Sequence, residues 1–149
     1  MKKTISLSVF LPAFNEEAVI ADNVREIADV LRKVTWNFEV IVCDDGSRDR
    51  TGPILSELQC RQPELNLKIV THEVNQGYGA ALASGFNAAV HELVFFTDGD
   101  KQFDVRELNK LLDAFNANTD LVIGWRKNRA DPPLRRLNAW GWKLLISGV

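Results

Sequence analysis

The stretch FEVIVCDDGS, residues 38–47, decides the fold. A largely apolar run from Phe38 to Cys43 ends abruptly on Asp44-Asp45-Gly46-Ser47, whose residue types favour a turn and a helix cap. Short, nearly continuous apolar runs are typical of parallel strands that are covered on both faces. The stretch therefore predicts a buried strand that delivers polar side chains to one edge of a sheet.

The same pattern repeats along the chain, with a helical pattern after each apolar run. The predicted strands are 5–11, 38–43, 67–71, 93–97 and 121–123, and the helices that follow the second, third and fourth strands are 51–61, 77–90 and 104–115. The first helix is predicted to begin at an Asn15 cap. Its apolar positions at helical spacing are Ile20, Val24, Ile27 and Leu31. Five alternations predict a three-layer α/β/α domain with a mostly parallel sheet and right-handed crossovers.

Length and composition narrow the classes of function. A chain of 149 residues suits one domain, and a net charge of -2 gives no general attraction to nucleic acid, so no nucleic-acid partner is expected. No window of 18 apolar residues is present, which argues against a membrane-spanning segment. Cys43 and Cys60 lack metal-ligand spacing, and the N-terminus lacks a targeting pattern. These features predict a reduced, cytoplasmic protein.

The loops that follow the predicted strands carry the polar chemistry. In an open parallel sheet, ligands bind at the carboxyl ends of the strands, near the point where strand order reverses. The loops at this edge read PAFNEE (12–17), DDGS (44–47), NQGYG (75–79), DGD (98–100) with Gln102, and GWR (124–126). Each loop alone is an ordinary turn, whereas five loops at one edge predict a binding site.

Two pairs of acids suggest different tasks. Asp98 and Asp100 are separated by a glycine, so both carboxylates can face a hard cation such as Mg²⁺ or Mn²⁺. Asp44 and Asp45 are suited to accept hydrogen bonds from a base or a ribose. Gly77 lets the start of the following helix approach a ligand closely.

Other conspicuous residues are given structural roles. His72 and His91 have no partner at metal-ligand spacing, so both are expected at the surface, and no Ser/His/Asp arrangement is expected. The aromatic residues expected in the core are Phe86, Phe95, Phe96 and Phe115.

The motifs taken together resemble those of family 2 glycosyltransferases. PAFNEE (12–17), VCDDGSRDRT (42–51), NQGYGAAL (75–82), TDGDKQFD (97–104) and GWR (124–126) occur in the order and spacing of that family. The branch they most resemble is that of the dolichyl- and undecaprenyl-phosphate sugar transferases. The resemblance implies a Rossmann-like GT-A fold, and transfer of a sugar from a nucleotide-diphosphate sugar (UDP or GDP) with inversion and a divalent metal.

The resemblance also implies a role for each matching residue. Pro12, Ala13, Phe14 and Glu16 would border the nucleotide, Asp44 would contact the base with Asp45 beside it, and Gly77 would lie against the nucleotide. Asp98 and Asp100 resemble the DxD metal motif, Gln102 would also reach Mg²⁺ or Mn²⁺, and Arg126 would face phosphate. Asp98, Asp100 and Arg126 are thus the expected catalytic residues.

The acceptor side departs from the family pattern. Nothing after residue 126 resembles the ED base or the QxxRW motif of the processive members. A sugar hydroxyl needs a general base, but a polyprenyl phosphate is already anionic, and the basic and aromatic residues of 126–149 suit a lipid phosphate at a membrane surface. We therefore expect a donor-binding core at 1–125, a helical acceptor-side segment at 126–149, and a location at the inner face of the membrane. The alternative for this segment is a helix that packs on the sheet.

Several alternatives remain at this stage. The alternative to an active transferase is a truncated glycosyltransferase domain that binds donor without turnover. Homo-oligomerisation would then cover the surface that the missing half would bury. A receiver-like signalling domain requires an acid pair after strand one, where this chain has PAFNEE. The same loop lacks the glycine-rich sequences that a nucleotidyltransferase or a dinucleotide dehydrogenase would have there.

Overall fold

A computed structural model describes residues 3–98, 104–116 and 118–124. The chain forms two compact units, residues 1–110 and residues 111–149. The first unit carries the sheet and most of the helices. The predicted division after residue 125 stays a prediction, because residues 125–149 lie outside the described part.

A four-stranded parallel sheet forms the centre of the first unit. Its strands are β1 (Lys3–Ala13), β2 (Thr35–Asp44), β3 (Leu67–Thr71) and β4 (Leu93–Phe96), in the order β3-β2-β1-β4. The chain moves outward from β1 to β3 and then returns to place β4 on the other side of β1. Strand order therefore reverses between β1 and β4, and the loops after these two strands flank the reversal point.

Three helices cover both faces of this sheet: α1 (Ile20–Val34), α2 (Thr51–Arg61) and α3 (Tyr78–Ala88). A fourth helix, α4 (Leu108–Ala114), follows a 3-10 turn at Val105–Glu107. The helices α1 and α2 pack against each other, whereas α3 packs on β1 and β2. Right-handed crossovers place α1 and α2 on one face and α3 on the other, since the connection that holds α3 runs in the opposite direction. The predicted three-layer α/β/α fold is confirmed.

The core explains why the central strands are so apolar. Side chains of β1 and β2 are buried on both faces, including Val9, Phe10, Val40 and Ile41 at 0% exposure. The predicted apolar positions of α1 are all buried as well. Burial of this kind supplies most of the favourable free energy of folding.

Three expectations about the elements and the core are wrong. Residues 121–123 do not form a strand, because Leu121 and Ile123 are exposed (71% and 76%) and no described strand pairs with them. Asn15 does not cap α1: it has a left-handed φ of 56°, and the helix begins later, at Ile20.

The third concerns two aromatic residues. Phe86 and Phe96 were expected in the core but are 49% and 44% exposed, although both rings contact the buried Phe10 and each other.

Candidate functional site

The carboxyl edge of the sheet gathers those predicted site residues that the structure describes. Ala13 ends β1 and pairs in register with Asp44, which ends β2 and pairs with Thr71 at the end of β3. Backbone hydrogen bonds continue this alignment past the strands, from Asp45 N to Ala13 O and from Thr97 N to Phe10 O. The loops after all four strands therefore begin at the same edge of the sheet, as the sequence predicts.

The loops after β1 and β2 are fastened to each other. Asn15 N donates to Ser47 Oγ (2.9 Å), and Arg48 N donates back to Asn15 Oδ1 (2.8 Å). Glu16 N donates to Thr51 Oγ1 at 2.8 Å. This reciprocal arrangement explains the left-handed backbone of Asn15, whose side chain and amide both face the second loop.

Asp49 completes this fastening. Its carboxylate accepts hydrogen bonds from Glu17 N (3.1 Å) and from both the amide and the hydroxyl of Thr51 (2.9 and 2.6 Å). Desolvation acts to raise the pKa of Asp49, but these hydrogen bonds outweigh it and hold the pKa below its usual value. The two loops, residues 12–17 and 44–51, therefore form one preorganised surface, which we call the wall. Pro12 and the exposed ring of Phe14 lie in the first of these loops.

Asp44 lies buried at the end of β2, with only 3% of its surface exposed. Its Oδ1 accepts a hydrogen bond from Ser47 N at 3.0 Å. The first turn of α2 approaches its Oδ2 so closely that a Cβ on Gly52 would lie 3.2 Å from that oxygen. The carboxylate is thus fixed in orientation by its own loop.

Asp45 is also buried, and its carboxylate turns towards the loop after β3. Oδ1 accepts hydrogen bonds from Gln76 N (2.8 Å) and lies 2.6 Å from Nδ1 of His72, while Oδ2 accepts from Gly77 N (2.9 Å). Burial acts to raise the pKa of Asp45, but the hydrogen bonds from Gln76, His72 and Gly77 outweigh it, so the pKa lies below its usual value. Asp45 is therefore an ionised anchor for this loop.

Gly77 begins the segment that leads into α3, with a φ of 92° that strongly favours glycine. The next residue, Tyr78, is the first of α3, and its hydroxyl donates a hydrogen bond to Asp98 Oδ1 at 2.9 Å. Asp98 is exposed, just past the end of β4. A solvent-facing carboxylate oxygen is the type of ligand that Mg²⁺ and Mn²⁺ prefer, so the residue fits a divalent-metal site.

The remaining predicted residues lie outside the described part of the chain. Asp100, Gln102 and Arg126 belong to this group, and their roles stay predictions. Within the described ranges, no group of three or more His, Cys, Asp or Glu side chains is placed to hold a metal.

Sequence reasoning missed His72. The residue was expected at the surface, but its side chain is only 9% exposed and joins Asp45 to Ser84 Oγ, which lies 2.8 Å from Nε2. The described structure therefore contains a Ser/His/Asp chain that the sequence did not predict. The only sequence signal was its position directly after a strand, at the edge where the other polar loops converge.

Among the described residues, no helix is both long enough and apolar enough to cross a bilayer.

Comparisons with known proteins agree on one family. The family model described as "Glycosyl transferase family 2" matches residues 8–146. A dodecaprenyl-phosphate galacturonate synthase of Rhizobium johnstonii is 32% identical over 149 residues, covering 99% of this chain and 44% of the relative. The chain thus spans less than half the length of this curated relative.

Solved structures support the same fold. The mannosyltransferase PcManGT of Pyrobaculum calidifontis, in complex with GDP-Man and Mn²⁺, matches with a TM-score of 0.55 and 26% identity, over 70% of this chain and 30% of its own. Glucosyl-3-phosphoglycerate synthase of Mycobacterium tuberculosis, in complex with Mn²⁺, UDP and glucosyl-3-phosphoglycerate, matches with a TM-score of 0.57 and 27% identity, over 74% and 39% of the two chains.

Proposed function

Because the chain belongs to glycosyl transferase family 2, we propose that it forms the donor-binding part of an inverting glycosyltransferase. The enzyme would move a sugar from a nucleotide-diphosphate sugar, with UDP or GDP as the nucleotide, to a polyprenyl phosphate. The observation that carries this proposal is the convergence of Asp44, Asp45 and Asp98 at the carboxyl edge of one sheet, beside the reversal of strand order.

The wall formed by the loops after β1 and β2 suits a nucleoside. Pro12, Ala13, Phe14 and Glu16 lie along this wall, and the fixed carboxylate of Asp44 offers an acceptor for N–H or O–H donors of a base or ribose. Because hydrogen bonds between the loops hold the wall in place, little ordering free energy is lost on binding. The support for UDP or GDP comes from the ligands of the two solved relatives.

The diphosphate would lie towards β4. Asp98, with Asp100 and Gln102 as further proposed ligands, would hold Mg²⁺ or Mn²⁺ there. A divalent metal, when bound, neutralises the charge that develops on the departing diphosphate. Tyr78 restricts the rotation of the Asp98 carboxylate, which keeps one oxygen engaged by the hydroxyl.

The chemistry of the acceptor explains why a general base is not needed. An oxygen of polyprenyl phosphate attacks the anomeric carbon, the bond from that carbon to the diphosphate breaks with inversion, and the nucleoside diphosphate leaves. The attacking oxygen is already anionic near neutral pH, so no proton has to be removed. Cations are needed instead, and the basic segment that begins at Arg126 supplies them in the sequence.

A lipid-phosphate acceptor is supported by the name of the R. johnstonii relative. The inner face of the membrane is the proposed site of reaction. Donor binding without turnover is the second candidate, because this chain covers 44% of that relative.

Calorimetry with UDP- and GDP-sugars, with and without Mn²⁺, tests the donor site. We expect metal-dependent binding of one nucleotide class, and we expect Asp98→Asn to abolish its metal dependence. Asp29→Asn is the matched control, since Asp29 is an exposed carboxylate on α1 that pairs with Arg32. Absence of binding by the wild-type chain for every nucleotide sugar would refute the proposal.

Turnover needs a separate assay. Transfer of radiolabelled sugar to dodecaprenyl phosphate in detergent would support the full reaction. Donor binding together with no transfer would favour the second candidate.

A further inference from the structure

The side chain of His72 connects two layers of the fold beside the proposed donor site. Its Nδ1 lies 2.6 Å from Asp45 Oδ1 at the end of β2, and its Nε2 lies 2.8 Å from Ser84 Oγ in α3. The His72 and Asp45 side chains are only 9% and 5% exposed. The backbone amide of His72 also donates to Asp44 O at 2.9 Å. His72 is therefore fixed by both its backbone and its ring.

The chemistry of the pair sets the direction of the hydrogen bond between His72 and Asp45. An ionised carboxylate can only accept, so Nδ1 of His72 must carry the proton that it shares with Asp45. The other ring nitrogen, Nε2, faces the Ser84 hydroxyl, which is able both to donate and to accept. Ser84, His72 and Asp45 are thus joined in one hydrogen-bonded chain of side chains.

The carboxylate of Asp45 also accepts hydrogen bonds from the loop after β3. Gln76 N and Gly77 N both donate to it, so the carboxylate holds this loop from two successive amides. The same loop also packs closely against Gly46. A Cβ on residue 46 would lie 2.5 Å from Val74 C and from Asn75 N. The position of residues 74–77 therefore depends on how the Asp45 carboxylate is oriented.

We propose that His72 is a positioning residue for the donor site. By orienting Asp45, His72 fixes the loop at residues 74–77. Through that loop it fixes the start of α3, where the Tyr78 hydroxyl donates to Asp98. The inference rests on the proposed function, since Asp98 is the proposed metal ligand. In this proposal Asp45 holds the loop after β3 in place, and Asp44 is the acceptor for the nucleoside.

A Ser/His/Asp chain could also suggest a hydrolase, but the surroundings of Ser84 argue against it. Ser84 lies in the middle of α3, which spans Tyr78–Ala88. Backbone N–H groups in a helix interior are already bonded within the helix, so they cannot stabilise an oxyanion beside this hydroxyl. The hydrogen-bonded side chains of Ser84, His72 and Asp45 therefore orient Asp45 and do not attack a substrate.

Two substitutions separate the proposed role from a general structural one. In His72→Asn, the amide nitrogen occupies the place of Nδ1 and can still donate to Asp45. In His72→Gln, the amide nitrogen corresponds to Nε2 instead, so the contact with Asp45 is lost. Both variants are polar, and their side chains are smaller than or similar in size to histidine, which makes them a matched pair. A third variant, Ser84→Ala, removes only the hydrogen bond between Ser84 and Nε2 of His72.

The first measurement is hydrogen exchange of the loop amides in the protein without ligand. We expect Gln76 N and Gly77 N to exchange about tenfold faster in His72→Gln, and near the wild-type rate in His72→Asn. Ser84→Ala should give a smaller increase than His72→Gln. Equal exchange in the Asn and Gln variants, or unchanged exchange in both, would overturn the proposal.

The second measurement is donor affinity by calorimetry with Mn²⁺ present. The donor Kd is expected to rise about tenfold in His72→Gln and less than about threefold in His72→Asn. Weakened binding with full protection of the loop would show that His72 contacts the ligand, and would also overturn the proposal. If the wild type binds no nucleotide sugar, the proposed function fails, while hydrogen exchange still decides whether His72 sets the loop.

Discussion

Gly85 offers a sharp test of how α3 is seated on the sheet. A Cβ built at this position would lie 2.3, 2.5 and 2.8 Å from three atoms of the Phe10 ring. Phe10 is fully buried in β1, and its ring packs against Phe86 and Phe96 at centroid distances of 4.9 and 5.7 Å. The ring has no room to move away, so Gly85→Ala must push α3 outward or force Phe10 off its rotamer.

The size of the effect follows from two opposing contributions. Overpacking of a closely packed core costs about 3 kcal/mol at the upper end of the usual range, which suits contacts this short. Replacing a glycine by alanine in a helix stabilises it by about 1 kcal/mol. The net expected loss is therefore about 2 kcal/mol, which corresponds to a fall in Tm of roughly 4–8 °C for a chain of this size.

Thermal and urea unfolding followed by circular dichroism measure this loss. Gly79→Ala is the matched control, because Gly79 lies in the same helix and a Cβ there would meet nothing within 4 Å. That variant is expected to be as stable as the wild type or up to about 1 kcal/mol more stable.

A double-mutant cycle with Phe10→Leu identifies the cause. If the Phe10 ring is the obstacle, the two changes together cost less than the sum of the single changes, by more than about 1 kcal/mol. Equal stability of Gly85→Ala and Gly79→Ala would refute this account of the packing, and so would strict additivity with Phe10→Leu.

Three further predictions concern the site and its surroundings. Gly46 has a φ of 70° and faces the backbone of residues 74–75, so Gly46→Ala should destabilise the chain by more than about 2 kcal/mol in urea unfolding. The lowered pKa of Asp45 means that its contribution to stability is complete above its ordinary pKa of about 3.9 and is lost as the pH falls towards the lowered value. Asp45→Asn should therefore be less stable at pH 7 and show a flatter loss of stability as the pH falls below about 4. Burial and the nearby charge of Asp45 raise the pKa of Cys43 to about 11, so a thiol reagent at neutral pH should label the exposed Cys60 alone until the protein is unfolded.

Local sequence patterns were enough to predict most of the elements in the first unit. The apolar runs of β1 to β4 and the periodicity of α1 reflect burial that each segment requires wherever it packs. Parallel strands with helical crossovers place every strand-to-helix loop at the same edge, so the convergence of the polar loops also followed from sequence. The run at 121–123 failed because three apolar residues do not form a strand without a neighbour to bond with.

Tertiary structure alone decided where each side chain in those loops points. The acid pair at the end of β2 looked equivalent in sequence, yet Asp44 bonds within its own loop while Asp45 turns to His72 and the next loop. His72 carried no pattern of its own, because its partners Asp45 and Ser84 lie 27 and 12 residues away.

The sequence by itself determined the chemistry available at one edge of this sheet, since periodicity and strand direction are local properties. The tertiary structure decided which of those groups bond within their own loop and which tie separate loops together. That choice depends on contacts between segments distant in the chain, and no single segment encodes them.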